Sequence, residues 1–178
     1  MNGKRNMSID LNALDQAFRA KVDRGLDALA GEGLIFTPYN ALRDPVTQAR
    51  FWRQSRSTAV IEAQIQSLRQ TECDFIADCL VKAGPASGPW ATNALPGLSW
   101  HQYGKAVDCY LVNANGQPVW ESPSYARFGQ VGDANGMWWG GHFGDNDHWQ
   151  DSNIVPLQAL GSLKEINDAL ALKWGDLV

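Results

Sequence analysis

The sequence predicts an α+β fold: one domain over residues 1–178, with a small antiparallel sheet flanked by helices. Three observations carry this. Apolar residues recur at three- and four-residue steps in several long segments, which is the spacing of amphipathic helices. A few short apolar runs sit between turn-forming residues without a regular strand–helix alternation. The length of 178 residues falls in the usual single-domain range of roughly 100–200, and no repeat or linker divides the chain.

Residues 8–30 read as a helix, with Ile9, Leu11, Leu14, Phe18, Val22, Leu26 and Leu29 on one face. Ser8 or Asp10 is placed to cap it, and Gly31 and Gly33 end it. Leu34–Thr37 is a short strand candidate stopped by Pro38. A second helix starts near Asp44-Pro45, since proline suits a first helical turn, and carries Val46, Ala49 and Trp52 inward. Residues 58–83 read as one long helix, with Val60, Ile61, Ile65, Leu68, Phe75, Ile76 and Leu80 inside. Residues 84–99 form an irregular segment rich in Gly, Pro and Ser, of a length that usually serves function. Residues 105–112 are a strand, joined through Asn113–Gly116 to a hairpin partner at Pro118–Trp120. Residues 121–150 read as loop-rich, and a last helix covers 156–173.

Composition narrows the function classes. The chain is 44% hydrophobic and 19% charged, with a net charge of −4, so it carries no basic footprint for nucleic acid. Eight tryptophans, six of them between Trp90 and Trp149, exclude a disordered chain. No stretch approaches the roughly 18 apolar residues of a membrane span, and the N-terminus lacks the apolar run of a secretory signal. The expectation is a protein made in the cytosol. Cys73, Cys79 and Cys109 are read as buried reduced thiols: their number is odd, and the spacing of the first two suits neither a bridge nor a zinc ribbon.

Three histidines, His101, His142 and His148, share one 48-residue window with several acids. Asp108 interrupts Ala106–Val112, a run apolar on both alternating faces and so read as buried on both. A carboxylate there is costly unless it pairs with a cation or binds a metal. A metal shared with His101, which lies just ahead of the turn at Gly104, accounts for its position. A third ligand would complete a three-ligand site with one open position. Spacing does not choose between His142 and His148, and Asp145 and Asp147 are both available as bases.

Ser99-Trp100-His101-Gln102-Tyr103-Gly104-Lys105-Ala106-Val107-Asp108 resembles the S-x-H-x-x-G-x-A-x-D motif of the M15 peptidases. These are zinc enzymes of the D-Ala-D-Ala carboxypeptidase and L-alanyl-D-glutamate endopeptidase type. Asp145-Asn146-Asp147-His148 is similar to their second motif, an acid three residues before a histidine, and follows Trp139-Gly140-Gly141 as it often does in relatives. Arg43 and Gln48 resemble an upstream arginine and glutamine. The matches span residues 43–149, which places the metal-site core at about 43–150.

The resemblance implies a Hedgehog/DD-peptidase-like fold and one Zn2+ per chain, held by His101, Asp108 and His148. Asp145 is the implied catalytic base and Arg43 the implied support of the oxyanion. Gln48, Ser99, His142 and Trp139 are supporting or substrate-contacting candidates. Relatives often carry an acid or amide where His142 stands, and a glutamate where Gln150 stands. The aspartate at 145 resembles the phage-type endopeptidases, whereas carboxypeptidases and dipeptidases usually have glutamate. The implied partner is bacterial peptidoglycan, reached after release from the cytosol, and the expected state is a monomer. The competing expectations are a D-Ala-D-Ala carboxypeptidase or dipeptidase, and a wall-binding module that keeps zinc without turnover.

Overall fold

The computed structural model describes residues 9–178. Their elements, numbered in chain order, are α1 (Gln16–Gly31), β1 (Phe36–Asn40), α2 (Pro45–Arg53), α3 (Thr58–Gln70), α4 (Asp74–Ala83), β2 (Ala106–Val112), β3 (Pro118–Val119), α5 (Ser124–Ala134), β4 (Trp138–Trp139), β5 (His148–Gln150), α6 (Pro156–Leu160) and α7 (Leu163–Trp174). This is an α+β arrangement with one small antiparallel sheet. No described helix is long and apolar enough to cross a membrane.

Internal contacts divide the chain into two compact units. The first comprises the described part of Met1–Leu42 together with Tyr103–Asn153. Its sheet has the order β1-β2-β5-β4, with β3 also paired to β2. Val107, Cys109 and Trp149 point to one face and pack with Phe18, Val22 and Leu29 of α1 and Tyr125, Phe128 and Val131 of α5. Side chains alternate along a strand, so Asp108, Tyr110 and His148 belong to the opposite face.

The second unit comprises Arg43–Gln102 and Ile154–Val178 and is helical. Its core gathers Trp52, Ile61, Leu68, Ile76, Leu80, Ile166 and Leu170 from α2, α3, α4 and α7. Asp44 caps α2 by accepting from the Thr47 N–H. The first turn of α4 has no side-chain cap of its own; Asn167 Oδ1 on α7 accepts the Ile76 N–H at 3.0 Å instead.

Several expected boundaries differ. The first helix begins at Gln16, capped by Asp15, while Asp10 caps a separate short turn at Leu11–Ala13; Ser8 lies outside the described residues. Pro38 does not stop β1 but lies within it, opposite Cys109. An edge strand tolerates proline because its missing N–H is not needed, and the Cys109 N–H goes to the Asp147 carbonyl on the other side. The single helix expected over 58–83 is two, broken where Glu72 turns left-handed at φ 56°. Val60 is exposed rather than inside. The last helix is also two: Gly161 breaks it, and Ser162 and Glu165 form a capping box that starts α7.

The segment 121–150 holds more structure than its composition suggests. Helix α5 carries Gly129 and Gly132, each costing about 1 kcal/mol of helix propensity against alanine. Packing explains them. A Cβ on Gly132 would sit 2.2 Å from Trp149 Nε1, and one on Gly129 2.2 Å from the Trp139 ring. The glycines seat the two tryptophans, and the Trp149 ring stacks on Phe128 at 3.8 Å.

Candidate metal centre and adjoining acid

Asp108 lies in the middle of three strands and is almost fully buried. The sheet register sets Asn40 opposite it on β1 and His148 opposite it on β5. Asn40 Nδ2 donates to Asp108 Oδ2 at 2.6 Å, and Asp108 Oδ1 lies 2.8 Å from His148 Nδ1. Its cross-strand neighbours are thus an amide and an imidazole. The other ring nitrogen of His148 lies 3.1 Å from Gln150 Oε1, two residues along the same face of β5. Gln150 in turn donates to the Ser152 carbonyl. Burial works against the charged form of His148, but the Asp108 hydrogen bond and the charges of Asp108 and Asp145 outweigh it and raise its pKa.

His101 is held by a short 3-10 turn, Trp100–Tyr103, that runs into β2. The Ser99 hydroxyl accepts the His101 N–H at 3.4 Å. Gly104 then turns the chain at φ +67°, and a Cβ there would lie 2.9 Å from the Ala13 carbonyl oxygen. One ligand atom each from His101, Asp108 and His148 lies within 4.8 Å of the other two, and all three residues are buried. Two imidazoles and a carboxylate form a borderline, tetrahedral-capable donor set that suits zinc. The group could therefore hold one metal ion, and Asn40 and Gln150 would orient its ligands, as carboxylates and amides around metal-bound histidines commonly do.

Asp145 adjoins His148 through a tight turn. The Asp145 N–H donates to the Gly140 carbonyl, and a Cβ on Gly140 would lie 2.3 Å from the Asp145 carbonyl oxygen and 2.8 Å from His148 Cβ. Only glycine allows that approach. The residue as a whole is exposed, yet its carboxyl group is crowded. Loss of solvation, the hydrogen bond with Asp147 and the charge of Asp108 lift it to about 7, against the lowering effect of His148. A bound cation would act in the other direction. The loop is held from both ends: Trp139 Nε1 donates to the Asn146 carbonyl at 2.8 Å, and the Tyr39 hydroxyl donates to Asp147 Oδ2 at 2.5 Å.

Arg43 and Gln48 belong to a buried amide network in the helical unit. Gln48, fully buried, accepts from Arg43 Nη1 at 2.9 Å and from Gln102 Nε2 at 3.1 Å, and donates to the Ala94 carbonyl. Gln102 Oε1 accepts the N–H groups of Gly97 and Ser99. The Arg43 N–H donates to the His101 carbonyl at 3.1 Å, and its guanidinium lies over the Phe51 ring. The irregular segment 84–99 is thus tied to α2 and to the turn that carries His101.

His142 stands apart from the metal-capable group. Its Nε2 lies 3.2 Å from Asp133 Oδ2 and its ring 4.3 Å from that of Trp138. Of the two histidines that spacing left open, the tertiary structure brings His148 to Asp108. The sequence reading missed Asn40, Tyr39 and Gln102. A strand-end amide or tyrosine carries no local signal, because its importance lies in what it faces across the sheet.

No protein-family model matches the chain, and no curated protein is a significant match. Among solved structures, the chain is similar to a vancomycin-resistance D,D-pentapeptidase, VanY, from a VanB-type cassette, crystallised with Zn(II). The two are 16% identical with a TM-score of 0.45, over 86% of this chain and 83% of that one.

Proposed function

We propose that the chain is a zinc metallopeptidase that hydrolyses peptidoglycan stem peptides, cutting between L-Ala and D-Glu as phage endolysins do. The observation that carries this is the buried His101–Asp108–His148 group with the Asp145 carboxyl beside it. A zinc ion held by these three residues would polarise the scissile carbonyl as a Lewis acid.

The chain's own residues supply the rest. Asp145 takes a proton from the attacking water as its oxygen bonds to the carbonyl carbon. It returns that proton to the amine as the C–N bond breaks. Arg43 keeps its charge at any working pH and steadies the oxyanion. Gln48 and Ser99 hold Arg43 and the His101 turn in place. Trp139 fixes the loop of the base.

The test is Asp145→Ala with zinc content measured. Release of new amino termini from purified cell wall should fall by about 100-fold or more while zinc stays bound. Undiminished release removes Asp145 from the mechanism. Free D-Ala among the products would instead mark a carboxypeptidase. Tight wall and zinc binding by a wild-type protein that cleaves nothing would mark a binding module.

A further inference from the structure

On the sheet face that carries Asp108, three aromatic rings stand together. Tyr39 and Trp120 meet edge to face at 5.1 Å and 89°, and Tyr110 lies 5.5 Å from Trp120 and 5.9 Å from Tyr39. Tyr39 is 42% exposed and Trp120 54%. Core packing does not account for rings left this open, and contiguous exposed apolar surface usually marks a contact site. Tyr39 occupies the irregular position of β1, between Pro38 and Asn40, where the register shifts. Such irregularities re-aim side chains. The cluster is also continuous with the proposed catalytic loop, since the Tyr39 hydroxyl donates to Asp147.

We propose that Tyr39, Tyr110 and Trp120 form a sugar-binding corner that holds the pyranose ring bearing the stem peptide. This rests on the peptidase reading above. Two ring faces at right angles suit a chair-shaped ring, which offers C–H groups on a face and an edge. Asp147, bonded to the Tyr39 hydroxyl, and Asp108, whose charge also reaches that ring, disfavour the carboxylates of a stem peptide and leave a neutral sugar unopposed. Length agrees as well. Tyr110 is two residues from Asp108, about 7 Å along β2. In an extended substrate, L-Ala and the lactyl link together span a similar distance, at roughly 3.3–3.6 Å per residue. From a terminal D-Ala-D-Ala bond the sugar would lie about 17 Å away.

The experiment compares the zinc-loaded wild type with Trp120→Ala and Trp120→Phe on two substrates: a disaccharide-linked stem peptide and the same peptide without sugar. The wild type should favour the sugar-linked substrate by about tenfold or more in kcat/KM, mainly through KM. Trp120→Ala should bring that ratio close to one, and Trp120→Phe should keep most of it. A wild-type ratio near one, or a ratio that Trp120→Ala leaves intact, overturns the proposal. Tyr39→Leu is read in the same way should Trp120→Ala fail to fold. If the wild type cleaves neither substrate, the peptidase reading fails and binding decides the corner. A muramyl disaccharide with its lactyl carboxyl capped as an amide should then shift tryptophan fluorescence in the wild type and not in Trp120→Ala. No shift in the wild type, or a dimer that buries these rings, overturns the proposal.

Discussion

Asp108 and His148 face each other across β2 and β5, with Oδ1 2.8 Å from Nδ1, and this pair anchors the metal-capable group. Both side chains are almost fully buried, so removing either costs the other a hydrogen bond in a dry site. His148→Ala should purify without zinc. His142, bonded to Asp133 instead, should be dispensable for the metal. Elemental analysis of the two variants decides between them, and the reverse result would move the ligand to His142.

Asn40 completes the row by donating to the outer oxygen of Asp108. Removing such a ligand-orienting bond typically weakens metal binding by about 10–100-fold. Asn40→Ala should show that loss in a competition titration with a chelator, at an unchanged circular dichroism spectrum.

Gly132→Ala should destabilise the protein although alanine is the better helix former. The gain in propensity is about 1 kcal/mol. Against it, the added carbon would lie 2.2 Å from Trp149 Nε1, and that indole is fully buried and stacked on Phe128. Overpacking at a site this rigid should win by about 2 kcal/mol, a fall in Tm of about 4–8 °C. Gly31→Ala, with nothing within 4 Å, should leave Tm level or slightly raised.

Asp151 accepts from Lys21 at 2.6 Å and Lys105 at 3.2 Å, and so ties α1 to the start of β2. Partial burial raises its pKa, but the two lysines outweigh this and hold it below the usual carboxylate value. A lowered folded-state pKa adds stability that is fully present above the unfolded value of about 3.9. It is lost as pH falls through the lower folded value. Asp151→Asn should therefore lower Tm at pH 7 and match the wild type in strong acid. A gap that persists in acid would assign the effect to packing.

All three cysteines are buried thiols. Burial pushes Cys79 up to about 12 and Cys109 well above the ordinary thiol value. The thiolate is the reactive form, so the native protein should resist a thiol reagent at pH 8, and all three should react after unfolding. Fast labelling of the native protein would contradict this burial.

Local pattern was informative where it reflected local physics. The α2 start at Asp44-Pro45, the strand with Asp108 and the reduced thiols all follow from residue type and near spacing. The failures share a cause. Helix α5 was hidden because Gly129 and Gly132 look like loop residues until Trp139 and Trp149 are seen to need their space. Pro38 reads as a stop until β1 is known to be an edge strand.

The candidate site divides along the same line. His101, Asp108, Asp145 and His148 stood out from motif and composition. Finding Asn40 needed strand register, which pairs residues 40, 108 and 148 across gaps of dozens of positions. Register arises from which face of each strand must be buried against α1 and α5. That burial exists only once the chain has closed its core, so no window of sequence contains it.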